Sequence, residues 1–427
     1  MRERFRFILQ HFAEQLWIKP LLVCLISIAG VFLAKAADTT DLGPYLPDIQ
    51  HDSIYTLLST ISSSMLVIAT FAIGSMVTSY ASASSKATPR SFTLVVADDD
   101  SQNALSTFIG SFIYSIVGLI SLENGYFDRA GRFALFVLTL VVFTLVILTF
   151  VRWLDRIARL GRIQTTIDTV EEDARCALLR RKKAPRLQGV ATSLPKGHLT
   201  PVFSTKVGYL QCIEMGVLQE YASKEDLCVR IASLPGTFCT PDRPLAFFWQ
   251  KEVKAESSQL ESLNQEIINT AFVIDNNRTF TDDPRFGLIV LSEIASKAMS
   301  PAVNDSGTAI TVIGSSVRLL TEWFSLAEKE NQLPVKYDRI EVPELSPEDM
   351  LDDAFMAIAR DGAGTVEVAI RLQKALYSLS VVGDKRLQEA TQEHIRMALA
   401  RVDIALDLQE DRDAVHNSVL NSQKAFH

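Results

Sequence analysis

The sequence of 427 residues has few cysteines and histidines, and none of them is arranged as a known motif. Its five cysteines form no Cys-x-x-Cys pair, and its six histidines lack the spacing of metal ligands, which argues against a disulfide scaffold and a zinc module. Glycine-rich phosphate loops, the Gly-x-Ser-x-Gly nucleophile motif and the His-Glu-x-x-His metal motif are also absent. We therefore predict no cofactor and no metal site, and no residue is nominated as a catalytic group.

The first 159 residues have no net excess of positive or negative charge. The protein has 42 basic and 50 acidic residues, a net charge of −8. Basic and acidic residues are equal in number through residue 159, so the whole excess of negative charge follows that residue. An acidic C-terminal part argues against nucleic acid as a partner. The hydrophobic content of 48% is enough for large cores, and the length predicts more than one domain.

Charges of either sign are missing from long runs in the first 159 residues. Uncharged runs cover residues 53–85, 101–122 and 133–151, and a shorter run covers residues 20–34. A helix needs about 20 apolar residues to cross the core of a bilayer. The short run reaches this length if Lys35 extends its amine to the interface. We predict four transmembrane helices, at residues 18–36, 54–80, 103–122 and 133–153.

The first apolar run has an alternative interpretation as a cleavable secretory signal. Three arginines within the first six residues precede it, and Ala34-Lys35-Ala36 follows it, a pattern similar to signal peptides. The long stem before the run, and Trp17 at a position that suits the membrane interface, favour an uncleaved helix. A new N-terminus near Ala37 in the purified protein would instead establish cleavage.

The distribution of loop charges predicts the orientation of the four helices. The loop of residues 38–52 has four aspartates and no lysine or arginine. Basic residues concentrate before helix 1, between helices 2 and 3, and after helix 4, which the positive-inside rule places in the cytoplasm. We therefore predict a multi-pass protein of the bacterial inner membrane with both termini cytoplasmic. The basic residues are Arg2, Arg4, Arg6, Lys19, Lys86, Arg90, Arg152, Arg156, Arg159 and Arg162.

The second predicted helix carries hydroxyl and small side chains every three or four residues. Its uncharged run would extend for ~50 Å, which exceeds the ~30 Å hydrocarbon core. Such a face is common where helices pack tightly, and it would also suit a water or ion pathway built from several copies of the helix. No ionisable residue lies inside helices 2 to 4, which argues against a proton-coupled transporter. The candidate pore-lining residues are Thr56, Thr60, Ser63, Thr70, Gly74 and Thr78.

Residues 160–201 are predicted to form a basic juxtamembrane connector and a linker. The basic run at residues 180–183 could contact the anionic headgroups of the lipid bilayer, or it could simply reflect the cytoplasmic side of the membrane. Nearby acidic residues dilute the positive charge. Residues 192–201, with two prolines and a glycine, are typical of a linker. The candidate lipid contacts are Arg180, Arg181, Lys182 and Lys183.

The remaining chain predicts a cytoplasmic α/β domain. Short alternating runs in residues 202–250 predict a small β-rich module, with strands near 207–210, 227–231, 237–239 and 245–249. Residues 251–427 predict a mainly helical part, with one strand near 336–342. The fold class is therefore a membrane α-helical protein with four transmembrane helices plus a cytoplasmic α/β domain with a small β-rich module and a helical C-terminal part. Its helices are predicted near 215–221, 260–273, 288–299, 306–326 and 387–406.

A polar segment at residues 300–305 is the best candidate for a ligand site in this domain. A helix that starts after Asp305 would offer its backbone N–H groups to a small anion. Capping aspartates and asparagines are so common that a simple helix–turn–helix elbow is the competing interpretation. The candidate ligand-binding residues are Arg278, Asp283, Arg285, Lys297, Asn304 and Asp305.

Three blocks of this sequence resemble the bacterial predicted-membrane-protein family catalogued as domain of unknown function 2254. The first block is residues 84–90 with the Phe-Ile-Gly and Phe-Ile-Tyr triplets of helix 3, and the second is residues 208–211 with Pro235-Gly236. The third block, which is the most specific, joins residues 278–287 to residues 300–305. The resemblance implies four helices with a cytosolic tail, and it supplies no established activity.

These features lead to three hypotheses. The first is a homo-oligomeric inner-membrane channel or conduit for ions or small solutes, in which helix 2 lines the axis and the cytoplasmic domain assembles or gates it. The second is a membrane-anchored sensor or scaffold whose cytoplasmic domain binds a ligand, such as a small anion, or a protein partner. The third, which is weaker, is an enzyme that uses the pocket around Asn304 and Asp305.

Overall fold

The predicted fold class is confirmed by a computed structural model of the chain. Four apolar helices come first, and an α/β region with two sheets and a helical C-terminal part follows. The chain divides into two compact units, Met1–Thr166 and Ile167–His427. The structure describes residues 17–39, 45–86, 88–91, 99–159, 162–193, 199–250, 265–325 and 332–424.

The four helices of the first unit are each long and apolar enough to cross a membrane. They extend beyond the uncharged runs, because backbone hydrogen bonding continues into the flanking polar residues after the apolar stretch has ended. Helix α2, at 36 residues, is much the longest of the four. The helices are α1 (Ile18–Ala36), α2 (His51–Lys86), α3 (Asp99–Glu123) and α4 (Arg129–Arg159).

Small residues and buried aromatic rings hold these helices together. A side chain at Gly110 of α3 would collide with Val23 of α1, so only glycine allows this approach. The ring of Phe108 packs edge-on against Trp153 of α4. The hydroxyl of Tyr114 shares a hydrogen bond of 2.9 Å with Thr139 across the same pair of helices. Such close packing supplies the association energy that the hydrophobic effect cannot provide between helices in lipid.

The end of α1 is tied to the start of α4 by one carboxylate. Asp38 accepts hydrogen bonds from the backbone N–H groups of Asp128 (3.0 Å) and Gly131 (2.5 Å). It thereby caps the exposed donors of the first turn of α4. Lys35 lies 3.2 Å from the same carboxylate, so the predicted loop of residues 38–52 begins with a helix cap.

The second unit contains two sheets around one large core. The five-stranded sheet has the order β1-β8-β4-β6-β2, and the three-stranded sheet has the order β5-β3-β7. Their inner faces and two helices, Met215–Lys224 and Gln265–Thr270, bury a continuous cluster that includes Val229, Phe248, Leu218 and Ile340. The strands are β1 (Gly189–Val190), β2 (Thr200–Phe203), β3 (Gly208–Ile213), β4 (Leu227–Ile231), β5 (Phe238–Cys239), β6 (Pro244–Gln250), β7 (Phe272–Asp275) and β8 (Tyr337–Glu341).

The helices of the second unit follow the amphipathic pattern expected for elements that bury one face. Three of them begin at a side-chain cap, from Asp305, Ser346 and Asp384. They are α5 (Ile163–Lys183), which starts just before the unit, then α6 (Met215–Lys224), α7 (Gln265–Thr270), α8 (Phe286–Ala298), α9 (Ser306–Phe324), α10 (Pro347–Asp361), α11 (Val366–Val382), α12 (Lys385–Ala405) and α13 (Gln409–Lys424).

Three elements differ from the sequence-based expectation. Part of the predicted connector forms helix α5, and the end of the predicted linker forms strand β2, where Pro201 is tolerated because β2 lies at the edge of its sheet. The end of the helix predicted at 260–273 is strand β7, which pairs with β3. The first residues of that predicted helix, and residues 194–198 of the linker, lie outside the described residues.

Candidate functional site

The hydroxyl face of α2 lies on the side of the helix that its own unit leaves uncovered. All six candidate pore-lining residues are exposed in the protomer. A side chain added at Gly74 would meet no atom of the described residues within 4 Å. The opposite face of α2 is buried against α3 and α4, at residues Ile54, Leu58, Ile61, Met65, Ala69, Ala72 and Met76.

Each hydroxyl of this face donates a hydrogen bond to its own helix. Thr60 donates to the carbonyl of Thr56 (2.7 Å), Thr70 to that of Leu66 (2.8 Å) and Thr78 to that of Gly74 (2.9 Å). Thr56 and Ser63 bond to the preceding turn in the same way. The hydroxyl protons therefore need no acceptor outside α2. The lone pairs of the hydroxyl oxygens stay available to accept a hydrogen bond from water or to contact a cation.

In the second unit, three of the six candidate ligand-binding residues come together in one charged cluster. Asp283 accepts from Arg278 Nε (2.6 Å) and from the backbone N–H of Arg285 (3.2 Å). Arg285 in turn bonds to Asp353 (2.5 Å) and Asp349 (2.6 Å) of α10. Burial raises the pKa of Asp283 and of Asp353 above the ordinary value, and the arginine partners oppose this effect. The cluster therefore joins the turn before α8 to α10.

Gly236 allows a second turn to close over the Arg278–Asp283 pair. Its φ of +94° lies in the left-handed region that favours glycine. A side chain at this position would also collide with the carboxylate of Asp283 and the guanidinium of Arg278. The Pro235-Gly236 turn thus covers the pair, which leaves Asp283 only 2% exposed.

Asn304 and Asp305 form a capped elbow between α8 and α9. Asp305 accepts from the backbone N–H (3.0 Å) and the hydroxyl (2.6 Å) of Thr308, and these bonds hold the pKa of its carboxyl below the usual range. Asn304 adopts a left-handed φ of +49°. Lys297 lies in the last turn of α8. The carboxylate of Asp305 thus occupies the helix N-terminus at which an anion was expected.

The four basic residues that end α5 have different surroundings. Arg180 donates to the carbonyls of Thr281 (2.6 Å) and Phe280 (3.4 Å), and Lys182 donates to Ser325 (2.9 Å). Arg181 is only 4% exposed. Lys182 is half-buried, Arg180 and Lys183 are exposed, and lipid contact stays a prediction for all four residues.

Three polar residues of these clusters carry no local signal in the sequence. Asp349 and Asp353 lie more than 60 residues after Arg285, and the carboxylates that act on Arg181, those of Asp282 and Asp283, lie about 100 residues after it. Among the described residues, no group of three or more His, Cys, Asp and Glu side chains is placed to hold a metal ion. The arrangement offers hydroxyl oxygens on the surface of α2 and buried ion pairs in the second unit.

Four apolar spans followed by a large α/β unit define a multi-span membrane protein. The chain belongs to the family described as predicted membrane protein (DUF2254), whose model matches residues 13–378. The family resemblance inferred from the three sequence blocks is thereby confirmed.

The chain is also similar to curated mycobacterial proteins. Uncharacterized proteins from two strains of Mycobacterium tuberculosis and from Mycobacterium bovis are each 28% identical to it over 121 residues. The match covers 28% of this chain and 22% of each relative, so it spans only about a fifth of their length. No solved structure matches the chain significantly.

Proposed function

We propose that this protein is a homo-oligomeric channel or conduit for ions or small solutes in the bacterial inner membrane. Copies of α2 surround a common axis with their hydroxyl faces inward, and both termini lie in the cytoplasm. The unit Ile167–His427 assembles or gates the conduit. The transport activity, the oligomeric assembly and the orientation in the membrane are all part of this proposal.

The observation that carries the proposal is the outward position of the hydroxyl face of α2. The same helix buries one apolar face inside the protomer, and its outward side carries the hydroxyl residues together with exposed apolar residues such as Val67, Phe71 and Val77. In a lone protomer this line of oxygens would meet hydrocarbon, where its lone pairs gain nothing. Several copies around an axis would instead give the oxygens water, ions or each other as neighbours.

The chemistry of this face suits passive conduction. Hydroxyl oxygens are weak dipoles that can replace part of the hydration shell of an ion without holding it tightly, as conduction requires. The uncharged run of α2 contains no carboxylate, histidine or amine that would trap an ion or couple its movement to a proton.

A membrane-anchored sensor or scaffold is the second candidate function. The supporting observation is that the unit Ile167–His427 has a large core and two sheets of its own, which is more structure than a simple gate requires. In this case the four helices would serve only as an anchor, and the hydroxyl face of α2 would pack dry against protein.

Electrical recording from proteoliposomes tests the conduit. We expect a conductance that falls severalfold in the double variant Thr60→Val/Thr70→Val, which keeps the shape of both side chains and removes their oxygens. Thr144→Val is the matched control, because the hydroxyl of Thr144 is also exposed and bonds to its own helix, but it lies on α4. A purified oligomer without conductance would contradict the proposal, as would an equal loss in the Thr144→Val protein.

A further inference from the structure

The guanidinium group of Arg181 is buried without a hydrogen-bond acceptor. The residue is 4% exposed, and its three side-chain nitrogens have no partner among the residues that the structure describes. A guanidinium carries five N–H donors in a fixed planar fork. Buried donors that lack an acceptor cost free energy, and the cost is larger when the group is charged.

Arg181 keeps its positive charge in this position. Burial lowers its pKa to about 10, which is still well above neutral pH, and the nearby carboxylates of Asp282 and Asp283 favour the charged form. Asp283 nevertheless directs its two oxygens to Arg278 and to the backbone of Arg285. The fold thus holds a buried cation close to a carboxylate that is already bonded to other donors.

The position of Arg181 is fixed by its neighbour on the same helix. Arg180 bonds to the carbonyls of Phe280 and Thr281, which anchors the last turn of α5 to the segment of residues 278–283. The same segment contains a second buried group without a partner, the hydroxyl of Thr279. The helix turn that carries Arg181 and the segment that carries Thr279 are therefore joined by the bonds of Arg180.

We propose that Arg181 binds an oxyanion group, a phosphate or a carboxylate of a small ligand, at the segment of residues 278–283. The planar fork of arginine matches two oxygens of such a group, and the Thr279 hydroxyl would donate to a third. Arg278 of the same segment adds a positive charge, whereas the carboxylates of Asp282 and Asp283 near Arg181 oppose the binding of an anion. The site is separate from the hydroxyl face of α2, and it gives the unit Ile167–His427 a ligand by which the membrane part could be controlled.

Thermal unfolding of the full chain in detergent tests this site, with inorganic phosphate as the probe and sodium chloride of equal ionic strength as the reference. We expect phosphate to raise Tm saturably, by about 3 °C at ten times Kd. Arg181→Met should abolish this rise, and Thr279→Val should reduce it. Lys183→Met is the matched control, because it removes an exposed cation of the same basic run, and it should retain most of the rise.

The unfolding temperature of Arg181→Met in chloride also shows whether this variant folds. Arg181→Met should unfold in chloride at the same temperature as the parent chain or higher, because it removes a buried charge that has no bonded partner. Absence of a saturable rise in the parent chain would overturn the proposal, since water would then satisfy Arg181. A rise that persists unchanged in Arg181→Met would overturn it too.

A second experiment distinguishes a lipid phosphate from a free phosphate as the source of the oxyanion. The protein is placed in nanodiscs of phosphatidylcholine, with or without phosphatidylglycerol, and phosphate is omitted. An Arg181-dependent rise of Tm that requires phosphatidylglycerol would assign the oxyanion to a lipid phosphate. The burial of Arg181 leads us to expect the opposite result, which is a response to free phosphate in phosphatidylcholine alone.

Discussion

The hydroxyl face of α2 and the buried charged cluster of the second unit satisfy their polar side chains in opposite ways. On α2 the hydroxyls face outward and bond to the turn before them, as Thr60 and Thr70 do. In the second unit, the charged groups lie inside and bond to elements far away in sequence, as Arg285 does with Asp353. The first arrangement makes polar groups tolerable in lipid, and the second ties distant segments of the chain together through buried charges.

Substitutions of polar residues should therefore affect stability differently on the α2 face and in the buried cluster. Removing a polar group from the α2 face should leave the protomer intact, because no other element depends on it. Removing a partner from the buried cluster should destabilise the second unit, because the groups left behind are charged and have no access to water.

The largest effect is expected from Asp283→Ala. This change leaves Arg278 without its buried partner and takes away one of the two carboxylates that favour the charged form of Arg181, so we expect the folded unit to lose about 3–5 kcal/mol of stability. Urea denaturation of the full chain, followed by a probe in the second unit, measures this loss. Asp242→Ala serves as the control, because Asp242 is exposed and should change little. Equal stability of the two variants would show that the cluster is not coupled to the fold.

A pair of glycine variants compares the inner and outer surfaces of the membrane unit. Gly110→Val should force α1 away from α3 and cost about 1–3 kcal/mol of stability. Gly74→Val meets open space in the protomer, so its fold should be kept while a close α2–α2 contact between copies is weakened. Thermal stability in detergent and the mass of the detergent-solubilised particle report the two effects. A Gly74→Val protein that keeps both its fold and its mass would exclude a close contact at this position.

A smaller effect is expected for the pH dependence of the second unit. His394 is buried 3.2 Å from Asp352, and burial lowers its pKa, helped by Arg401 and opposed by Asp352 and Glu393. The unfolded chain therefore takes up a proton at higher pH than the folded chain, so stability falls as pH decreases below the unfolded pKa. His394→Gln should make the change of Tm between pH 7 and pH 5 less steep. An unchanged slope would mean that other groups cause the loss.

The smallest effect is expected on the stability of the α2 face itself. Thr60→Val and Thr70→Val each remove a hydroxyl whose only described acceptor belongs to the same helix. We expect each change to alter the free energy of unfolding by less than about 0.5 kcal/mol. A larger loss, measured by thermal unfolding in detergent, would indicate that these hydroxyls hold the protomer or the oligomer together.

The elements that were predictable from the sequence are those set by local composition. Uncharged runs identified the four membrane helices, and the alternation of residues 227–231 identified β4, because burial on one or both faces leaves a direct trace in the order of residues. The cap of α9 at Asp305 was predictable for the same reason, since a cap depends on residues three positions apart.

The elements that were not predictable depend on contacts over long sequence distances. Strand β7 contains Phe272 and Val273, which fit a helix or a strand equally well until β3 provides the pairing. The basic run at 180–183 has the composition of a lipid-binding segment, and nothing in its local sequence indicates that Arg181 is buried while Arg180 bonds to Phe280 and Thr281. Tertiary partners of this kind leave no periodic signal.

The most direct test of the account is the reactivity of single cysteines along α2 with a membrane-impermeant thiol reagent in proteoliposomes. We predict that Thr60→Cys and Thr70→Cys react faster than the parent chain, whereas Ala72→Cys, on the buried face of the same helix, does not. If cysteines at 60 and 70 are as unreactive as the one at 72, the hydroxyl face of α2 meets lipid or protein, and the conduit is excluded.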